Sequence, residues 1–299
     1  PQLKNLLKDF DKNIIYGQDL KKKNWFNIGG KSKVFFKAEN LQDLVKFLKL
    51  LDNKEKIFII GAGSNTLISD NIFDGVVIKL SKNFNRISLL REDVIISGSG
   101  VLDNSLSSFA AENNLSGFEF LSCIPGSIGG GIKMNAGCFG KEFKDILLDI
   151  NFLDKKGKKI KLKASEIDFK YRTSNISKDL IVTSANLKGF KKNSEEIKRK
   201  INKITKKRIS SQPQGYPTGG STFKNDKKYK AWQLINKLGL KDLRCGDAVI
   251  SDQHNNFMIN KGKAKASDFE NLGEIIIEKV LNEFGIRLEW EIQILGQNG

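Results

Sequence analysis

Apolar residues recur every three to four positions in the first half of the chain, and this period predicts amphipathic helices. In residues 40–51 the apolar positions share one helical face, and Asn40 stands where an N-terminal cap is expected. Residues 103–114 repeat the pattern behind Asp103, which we expect to cap the helix with its carboxylate. The first half therefore contains at least these helices.

Three further helices are predicted beyond residue 190, where the composition becomes more polar. The shortest is WQLINKL, residues 232–238, which we expect Gly239 to stop. Residues 193–208 carry a single stripe of isoleucines on an otherwise charged helix. A longer helix is expected to open with the capping box Ser267-x-x-Glu270 and to end at Gly285. The change of composition near residue 190 predicts a domain boundary there.

Short apolar runs between these helices predict β-strands. Two of the runs surround Lys156-Gly157 and are expected to form a hairpin. Because strands and helices do not alternate regularly, the pattern indicates an α+β protein with mixed sheets. The predicted strands are residues 57–60, 76–80, 93–98, 146–153, 159–163, 180–185, 248–251, 257–260 and 286–295.

The charge of the chain is strongly positive, with a formal net charge of +17 over 299 residues. Lysine supplies nearly all of it, in short scattered pairs, whereas nucleic-acid recognition relies on clustered arginine. We therefore expect a solvated basic surface and no nucleic-acid partner. No apolar run approaches the roughly 18 residues of a membrane span, and no charged-then-apolar leader opens the sequence, so a cytoplasmic location is expected.

The cysteine and histidine content argues against a metal site. Three cysteines occur without a C-x-x-C pair, so neither a disulfide framework nor a zinc site is indicated. His254 is the only histidine, and we expect it to be a hydrogen-bonded structural residue. No metal is predicted.

Glycine-bearing loops are the strongest local signal of function. Residues 61–66 (GAGSNT), 98–100 (GSG) and 124–131 (IPGSIGGG) carry backbone N–H groups that can converge on an anion such as a pyrophosphate. None matches a complete nucleotide-binding fingerprint, and Trp25 replaces the first glycine of an otherwise P-loop-like segment. Each loop alone is also compatible with a plain turn.

The order of the motifs is more specific than any one of them. The chain contains, in this order, the motifs FNIGGKS, IIGAGSNTLISD, GSGVLDNSL, IPGSIGGGIKMNAGCFG, FKYRTS, GGSTFKN, DAVISDQHNNFMIN and LEWEIQILG. From about residue 24 onward, this series resembles the UDP-N-acetylenolpyruvoylglucosamine reductase family. The resemblance implies an FAD-binding fold of the vanillyl-alcohol-oxidase (PCMH) type over residues 1–190, in subdomains of about 1–55 and 56–190. It implies an α+β substrate-binding domain over residues 191–299.

The resemblance also implies an activity. Members of this family use non-covalent FAD and NADPH to reduce an enolpyruvyl ether on a UDP-sugar, yielding UDP-N-acetylmuramate for peptidoglycan and thus for cell-wall biogenesis, cell shape and cell division. A monomeric cytoplasmic enzyme without a membrane partner is expected. The short interval between Arg172 and Ser221 resembles the shorter subclass, which lacks a tyrosine-bearing loop over the substrate.

Site residues follow from the same motifs. By resemblance, Arg172 stabilises the substrate carboxylate, Ser221 donates a proton to C2, and Glu291 assists near the intermediate. Four residues are assigned to substrate binding: Tyr171, Arg208, Lys224 and Asn225. Eleven are assigned to FAD, whose approach would explain the glycines: Gly61, Ala62, Gly63, Ser64, Asn65, Gly126, Ser127, Gly129, Gly130, Asn135 and Gly137.

Two other functions stay open at this point. One is a different FAD-dependent oxidoreductase of the same superfamily, acting on another substrate; the other is a basic surface-binding or nucleic-acid-binding protein. The chain also departs from the family pattern at Trp290, where proline is usual, at Asp226 and at Asp247. These departures leave the proposed catalytic residues in place.

Overall fold

The computed structural model describes residues 2–296. Within this range the α-helices are α1 (Gln2–Leu6), α2 (Leu41–Leu51), α3 (Asp103–Glu112), α4 (Ile128–Lys133), α5 (Ser194–Ser211), α6 (Ala231–Lys237) and α7 (Ala266–Phe284). The strands are β1 (Ile14–Asp19), β2 (Lys31–Ala38), β3 (Ile57–Ile60), β4 (Thr66–Ile68), β5 (Phe73–Leu80), β6 (Ile87–Arg91), β7 (Val94–Gly98), β8 (Leu115–Ser116), β9 (Gly137–Cys138), β10 (Lys141–Glu142), β11 (Leu147–Leu153), β12 (Lys159–Lys163), β13 (Phe169–Lys170), β14 (Thr173–Ser174), β15 (Ile181–Lys188), β16 (Phe190–Lys191), β17 (Thr218–Ser221), β18 (Arg244–Cys245), β19 (Ala248–Ile250), β20 (Phe257–Asn260) and β21 (Gln293–Leu295).

The chain forms two compact units. The first comprises the N-terminal residues to Tyr16, Val34–Ala62 and Gly75–Lys206; the second comprises Gly17–Lys33, Gly63–Asp74 and the chain from Lys207. This division differs from the predicted ranges 1–190 and 191–299, because two short N-terminal segments group with the C-terminal residues and residues 191–206 group with the first unit. The domain ranges stay a prediction.

Along the described residues, the first unit contains two sheets of four or five strands and three two-stranded sheets, β9-β10, β13-β14 and β8-β16. One has the order β1-β2-β5-β3, with β3 parallel to β5, and shares its core with α2 through the stacked rings of Phe36 and Phe47, whose centroids are 3.8 Å apart. The other has the order β12-β11-β15-β7-β6. Its core includes Leu106 of α3 and Ile128 and Ile132 of α4, so the glycine-rich segment is anchored by buried apolar side chains.

The second unit is built on the sheet β17-β20-β19-β18, packed with α6 and α7. Phe26 and Phe269 contact each other edge to face, with centroids 4.7 Å apart, within this core. Strand β21 pairs in parallel with β4, which places the C-terminal segment beside residues 66–68.

Several local predictions are confirmed. The amide of Asp43 donates to the side chain of Asn40 at 2.9 Å, as expected for a cap of α2. Strands β11 and β12 pair antiparallel, with Gly157 at φ +78° in their connection. Gly285 ends α7 in the left-handed conformation.

Both predicted N-terminal caps beyond α2 are wrong. Asp103 is the first residue of α3 and makes no capping bond, because its carboxylate is buried against Gly126. Helix α7 begins at Ala266, so Ser267 lies inside the first turn. The carboxylate of Asp70, distant in sequence, accepts bonds from the amides of Ala266 (3.0 Å) and Ser267 (3.1 Å).

The predicted C-terminal strand is also shorter than expected. Of residues 286–295 only Gln293–Leu295 form a strand, and Trp290 makes an isolated antiparallel bridge with Phe223. The apolar residues that alternate along 286–295 therefore belong to two separate pairings, the bridge at Trp290 and the strand Gln293–Leu295, and not to one continuous strand.

Candidate functional site

The first predicted cofactor loop begins where β3 ends. The Lys79 ammonium donates a hydrogen bond to the carbonyl of Gly61, which follows the strand directly. A Cβ added at Gly61 would lie 2.5 Å from Oγ of Ser127. The structure therefore brings Gly61 beside the second predicted cofactor loop.

That second loop, residues 126–130, is held by backbone bonds to the segment that joins β7 to α3. The amides of Ile128 and Gly129 donate to the carbonyls of Val101 (2.9 Å) and Ser99 (2.8 Å). The amide of Asp103 donates in turn to the carbonyl of Gly126 at 3.1 Å. These bonds fix the loop backbone independently of any ligand.

The protein itself requires glycine at most of the predicted contact positions. A Cβ at Gly126 would lie 2.5 Å from Oδ2 of Asp103, and one at Gly129 would lie 3.0 Å from Cβ of Ser99. At Gly137 a Cβ would lie 2.8 Å from Cα of Glu142. The expectation that cofactor approach alone explains these glycines is wrong, because neighbouring parts of the chain already exclude side chains there.

Gly130 is the exception in this loop. It is exposed, and the nearest heavy atom to an added Cβ is Oγ of Ser127 at 3.7 Å. Glycine normally costs helix stability relative to alanine, so packing within the protein does not account for its presence in α4. An exposed, side-chain-free backbone at this position fits a cofactor held mainly by peptide groups.

Three buried polar side chains lie at and behind the same loop without a hydrogen-bond partner among residues 2–296. They are Ser99, both carboxylate oxygens of Asp103, and Ser107, which stands one helical turn after Asp103. Burial raises the pKa of the Asp103 carboxyl well above its usual value. Burial therefore favours the protonated form of this carboxyl, since an unpaired buried charge is very costly.

Asn135 is buried and uses its whole side chain inside the first unit. Its amide donates to Oε2 of Glu142 at 2.9 Å and to the carbonyl of Lys170 at 3.0 Å. Its oxygen accepts from the amide of Lys144 at 3.1 Å. The side chain of Asn135 is therefore fully used by hydrogen bonds within the protein, and any contact of Asn135 with FAD would use its backbone.

Arg172 stands in the short connection between β13 and β14 with φ +53°, a conformation that non-glycine residues rarely adopt. Its Nη2 donates to the carbonyl of Gly137 at 2.6 Å, and its Nη1 lies 4.0 Å from Oε1 of Glu142. The guanidinium carbon also lies 4.8 Å from the ring centre of Tyr171, which is exposed. The side chains of Tyr171 and Arg172 are therefore neighbours in the first unit.

The remaining residues of the first cofactor loop belong to the second unit. Gly63 has φ +70°, and an added Cβ would lie 2.8 Å from Cα of Asn24. Ser64 is half-buried, and the side-chain amide of Asn65 donates to the carbonyl of Glu291 at 3.0 Å. A residue of the predicted FAD loop thus contacts a predicted catalytic residue.

Backbone pairing brings the segments of Ser221 and Glu291 together. The amide of Glu291 donates to the carbonyl of Thr222 at 2.8 Å, and the amide of Lys224 donates to the carbonyl of Glu289 at 2.8 Å. The Phe223–Trp290 bridge lies between these bonds. Both candidate catalytic side chains are half-buried. Two residues remote in sequence are therefore neighbours in the second unit.

Asn256 holds the backbone of residues 222 and 223, and the sequence did not predict this contact. Its buried amide donates to the carbonyl of Phe223 at 2.8 Å, and its oxygen accepts from the amide of Phe223 at 3.0 Å. Its own carbonyl accepts from the amide of Thr222 at 2.7 Å. An asparagine between strand-forming residues in HNNFMIN is the signal that could have found it.

The predicted substrate contacts of the second unit lie at several places. Lys224 pairs with Glu289 at 3.2 Å beside the catalytic segment, and Asn225 accepts from the amide of Ala231 at 3.0 Å at the start of α6. Arg208 lies half-buried in the last turn of α5. Lys224 and Asn225 thus lie within the segment 221–225, whereas Arg208 belongs to a separate helix.

An open cleft of about 460 Å³ lies in the second unit. One end is aromatic, where His254 lies 6.4 Å from Trp232 and 4.8 Å from Phe257, measured between ring centres. Nδ1 of His254 accepts from the amide of Asn256 at 3.2 Å, and burial lowers the pKa of the imidazole. The cleft is lined by Trp232, Asn236, Lys241, Asp252, Gln253, His254 and Asn255.

Gln253 connects this cleft to the end of α5. Its amide lies 3.3 Å from the carbonyls of Ile209 and Ser210, directly after Arg208. His254 is hydrogen-bonded, as predicted, and it also lines a cleft, which was not predicted.

Along residues 2–296, no helix combines the length and the apolar character needed to cross a bilayer.

Comparisons with known proteins agree with this architecture. Residues 32–163 match the family model described as an FAD binding domain, and residues 212–295 match the C-terminal domain of UDP-N-acetylenolpyruvoylglucosamine reductase. These matches define a flavin-dependent oxidoreductase, and they confirm an α+β fold with an FAD-binding and a C-terminal domain.

Relatives of the whole chain make the family specific. UDP-N-acetylenolpyruvoylglucosamine reductase of Pelagibacter ubique is 52% identical over 98% of both chains, and that of Rickettsia bellii is 47% identical over 93% of this chain and 92% of its own. The crystal structure of the Thermus caldophilus enzyme (MurB) has a TM-score of 0.81 and 32% identity, covering 94% of this chain and 98% of its own. The chain belongs to the UDP-N-acetylenolpyruvoylglucosamine reductase family.

Proposed function

We propose that this chain reduces UDP-N-acetylglucosamine enolpyruvate to UDP-N-acetylmuramate with NADPH as the electron donor. The reaction would take place in the cytoplasm, on a monomeric enzyme, and would supply peptidoglycan synthesis and hence cell shape and cell division. The observation that supports the proposal is the backbone pairing of residues 222–224 with residues 289–291, a pairing that directly follows Ser221 and includes Glu291.

Arg172 would bind the substrate carboxylate and stabilise the negative charge that develops on it. A planar guanidinium suits this task because it is permanently charged and matches carboxylate geometry. Its two contacts in the segment of β9 and β10 support the assignment, since they hold the guanidinium in one orientation. FAD, when bound, supplies the two-electron reduction at C3 of the enolpyruvyl group.

Ser221 would donate the proton that C2 requires after this reduction. A hydroxyl is a weak acid, but a carbanion-like centre is a sufficiently strong base to accept its proton. Ser221 ends β17, and its neighbours Thr222 and Phe223 are both bound to Asn256, so the backbone at this position is rigid. Glu291, paired with Thr222, would assist by a hydrogen bond or proton near the intermediate.

FAD would be bound mainly by backbone groups. The residues assigned to it are Gly61, Ala62, Gly63, Ser64, Asn65, Gly126, Ser127, Gly129, Gly130, Asn135 and Gly137. Gly130 supports this assignment most directly, because its exposed backbone has no packing reason to lack a side chain. The binding would be non-covalent.

The UDP-sugar would be held by Tyr171, Arg208, Lys224 and Asn225. The open cleft beside His254 would take the nucleotide, since it offers aromatic faces, amides and Lys241 for a base and a phosphate. Its contact with residues 209–210 puts it next to Arg208, whose charge would neutralise the diphosphate. We also propose that the chain belongs to the shorter subclass and that residues 1–190 and 191–299 are its FAD-binding and substrate-binding domains.

An anaerobic absorbance experiment tests the activity directly. Purified protein is reconstituted with FAD, reduced with NADPH and then given UDP-N-acetylglucosamine enolpyruvate, while the flavin band is followed. The proposal expects bleaching by NADPH and full return with the substrate, with UDP-N-acetylmuramate as the product. If the flavin band bleaches but does not return, the proposed substrate is wrong. If NADPH does not bleach the band, the proposed electron donor is wrong.

A further inference from the structure

The turn that carries Arg172 is under strain. Tyr171 and Arg172 connect the paired residues Lys170 and Thr173, and positive φ occurs only at the second of the two. This is the pattern of a type II turn, which normally places glycine or asparagine there. An arginine persists in such a conformation only when its surroundings impose it, and strain of this kind concentrates at functional sites.

The surroundings that impose it come from residues 133–135. Asn135 donates to the carbonyl of Lys170, just before the turn, at 3.0 Å. Just after the turn, the hydroxyl of Ser174 donates to the carbonyl of Lys133 at 2.7 Å. Both sides of the turn are therefore bound to the end of the glycine-rich segment.

The guanidinium is fixed by a second pair of residues. Gly137 and Glu142 are directly opposite each other in the β9–β10 pair, and Arg172 contacts the carbonyl of the first at 2.6 Å and lies 4.0 Å from the carboxylate of the second. A side chain at Gly137 would overlap Cγ of Glu142, so glycine leaves the room that the carboxylate needs.

Glu142 is itself held in place. Its Oε2 accepts from Asn135 at 2.9 Å and from the Lys144 ammonium at 3.0 Å, while its Oε1 faces Arg172. The pKa of Lys144 is raised by its hydrogen bond to this carboxylate. One buried amide thus connects the strained turn to the carboxylate that faces the guanidinium.

We propose that Asn135 and Glu142 are positioning residues for Arg172, which they orient before the substrate arrives. This inference rests on the proposed role of Arg172. Asn135 fixes the turn and the carboxylate, and Glu142 fixes the direction of the guanidinium. Orientation of this kind contributes to rate rather than to affinity, because the Glu142 charge competes with the substrate carboxylate for the same cation.

Glu142→Gln tests the inference, since it keeps the shape and removes the charge. Two quantities are measured on the FAD-reconstituted enzyme: the saturating rate constant of flavin reoxidation by UDP-N-acetylglucosamine enolpyruvate, and the calorimetric Kd of the oxidised enzyme for the same compound. We expect the rate constant to fall on the order of 10- to 100-fold. The Kd is expected to stay unchanged or tighten, and Glu112→Gln, an exposed residue of the same unit, is the matched control.

A double-mutant cycle with Arg172→Ala separates the inference from the function on which it rests. If Glu142 acts through Arg172, adding Glu142→Gln to Arg172→Ala changes the reoxidation rate less than about twofold. A full additional loss in that background, or a wild-type rate for Glu142→Gln alone, would overturn the positioning role. A wild-type reoxidation rate for Arg172→Ala itself would instead overturn the proposed function of Arg172.

Discussion

The six-membered ring of Trp290 fills the space in which a Cβ at Gly273 would stand, halfway along α7. The indole packs at 5.3 Å from the ring centre of Phe223, and its N–H donates to Glu274 at 3.2 Å. The tryptophan at position 290 is thus accommodated by a glycine in a helix. Trp290 precedes Glu291, so this packing also supports the candidate catalytic segment.

We expect Gly273→Ala to destabilise the protein, although the same change in an ordinary helix stabilises by up to about 1 kcal/mol. The overlap with Trp290 should lower the free energy of unfolding by about 1–3 kcal/mol, as overpacking generally does. Urea unfolding of the two proteins measures the difference. In a Trp290→Ala background the sign should reverse, and a loss of equal size in both backgrounds would contradict steric overlap with the indole as the cause.

Gly130→Ala should separate folding from cofactor binding. The nearest protein atom to the new Cβ is 3.7 Å away, so the apoprotein should unfold at the same or slightly higher urea concentration. If FAD contacts this backbone, its Kd should rise on the order of tenfold or more, because an added methyl group intrudes on the cofactor. Fluorescence titration of apoprotein with FAD measures this, and an unchanged Kd would remove Gly130 from the cofactor site.

Ser221→Ala should affect one half-reaction only. Flavin reduction by NADPH should stay within about twofold of wild type, while reoxidation by the enolpyruvyl substrate should slow by about 100-fold or more through loss of the proton donor. Anaerobic stopped-flow absorbance resolves the two steps. Ser165→Ala, at an exposed position of the first unit, serves as the control. Equal slowing of both half-reactions would sink the assigned role.

The pH dependence of stability should report the buried carboxyl of Asp103. Burial raises its pKa, so the folded protein keeps a proton that the unfolded chain releases. The contribution of Asp103 to the free energy of unfolding is fully present below the ordinary aspartate pKa of about 3.9, and it declines as the pH rises toward the pKa of the folded state. Asp103→Asn removes this decline.

The free energy of unfolding of Asp103→Asn, minus that of wild type, should therefore grow with pH. The slope should approach about 1.4 kcal/mol per pH unit, up to the pKa of the folded state. Urea unfolding at about pH 5, 6 and 7, a range above the ordinary aspartate pKa, measures it. A difference that does not vary with pH would show that Asp103 carries no raised pKa.

Features governed by neighbours in sequence were predictable. The cap of α2 by Asn40, the hairpin around Gly157 and the end of α7 at Gly285 each depend on a few adjacent residues, and all are confirmed. The order of motifs also predicted the FAD-binding and C-terminal domains. Local chemistry and motif order carried this part of the fold.

Features governed by distant residues were not predictable. Asp70 caps α7 from far away in the sequence, so Ser267 is not needed for that role. Asp103 is of a residue type that often caps helices, but its side chain is buried beside Gly126. Asn135 lies in a cofactor-like motif, yet its side chain bonds to Glu142 and Lys170, which no spacing along the chain reveals.

The pairing of residues 222–224 with residues 289–291 limits where the chain can change in length. An insertion of one residue within either segment would turn Ser221 or Glu291 toward the opposite face, since side chains alternate along an extended strand. The exposed residues Lys227 and Lys228, in the turn before α6, lie outside that pairing. Length variation among related enzymes should therefore collect at this turn and spare both segments.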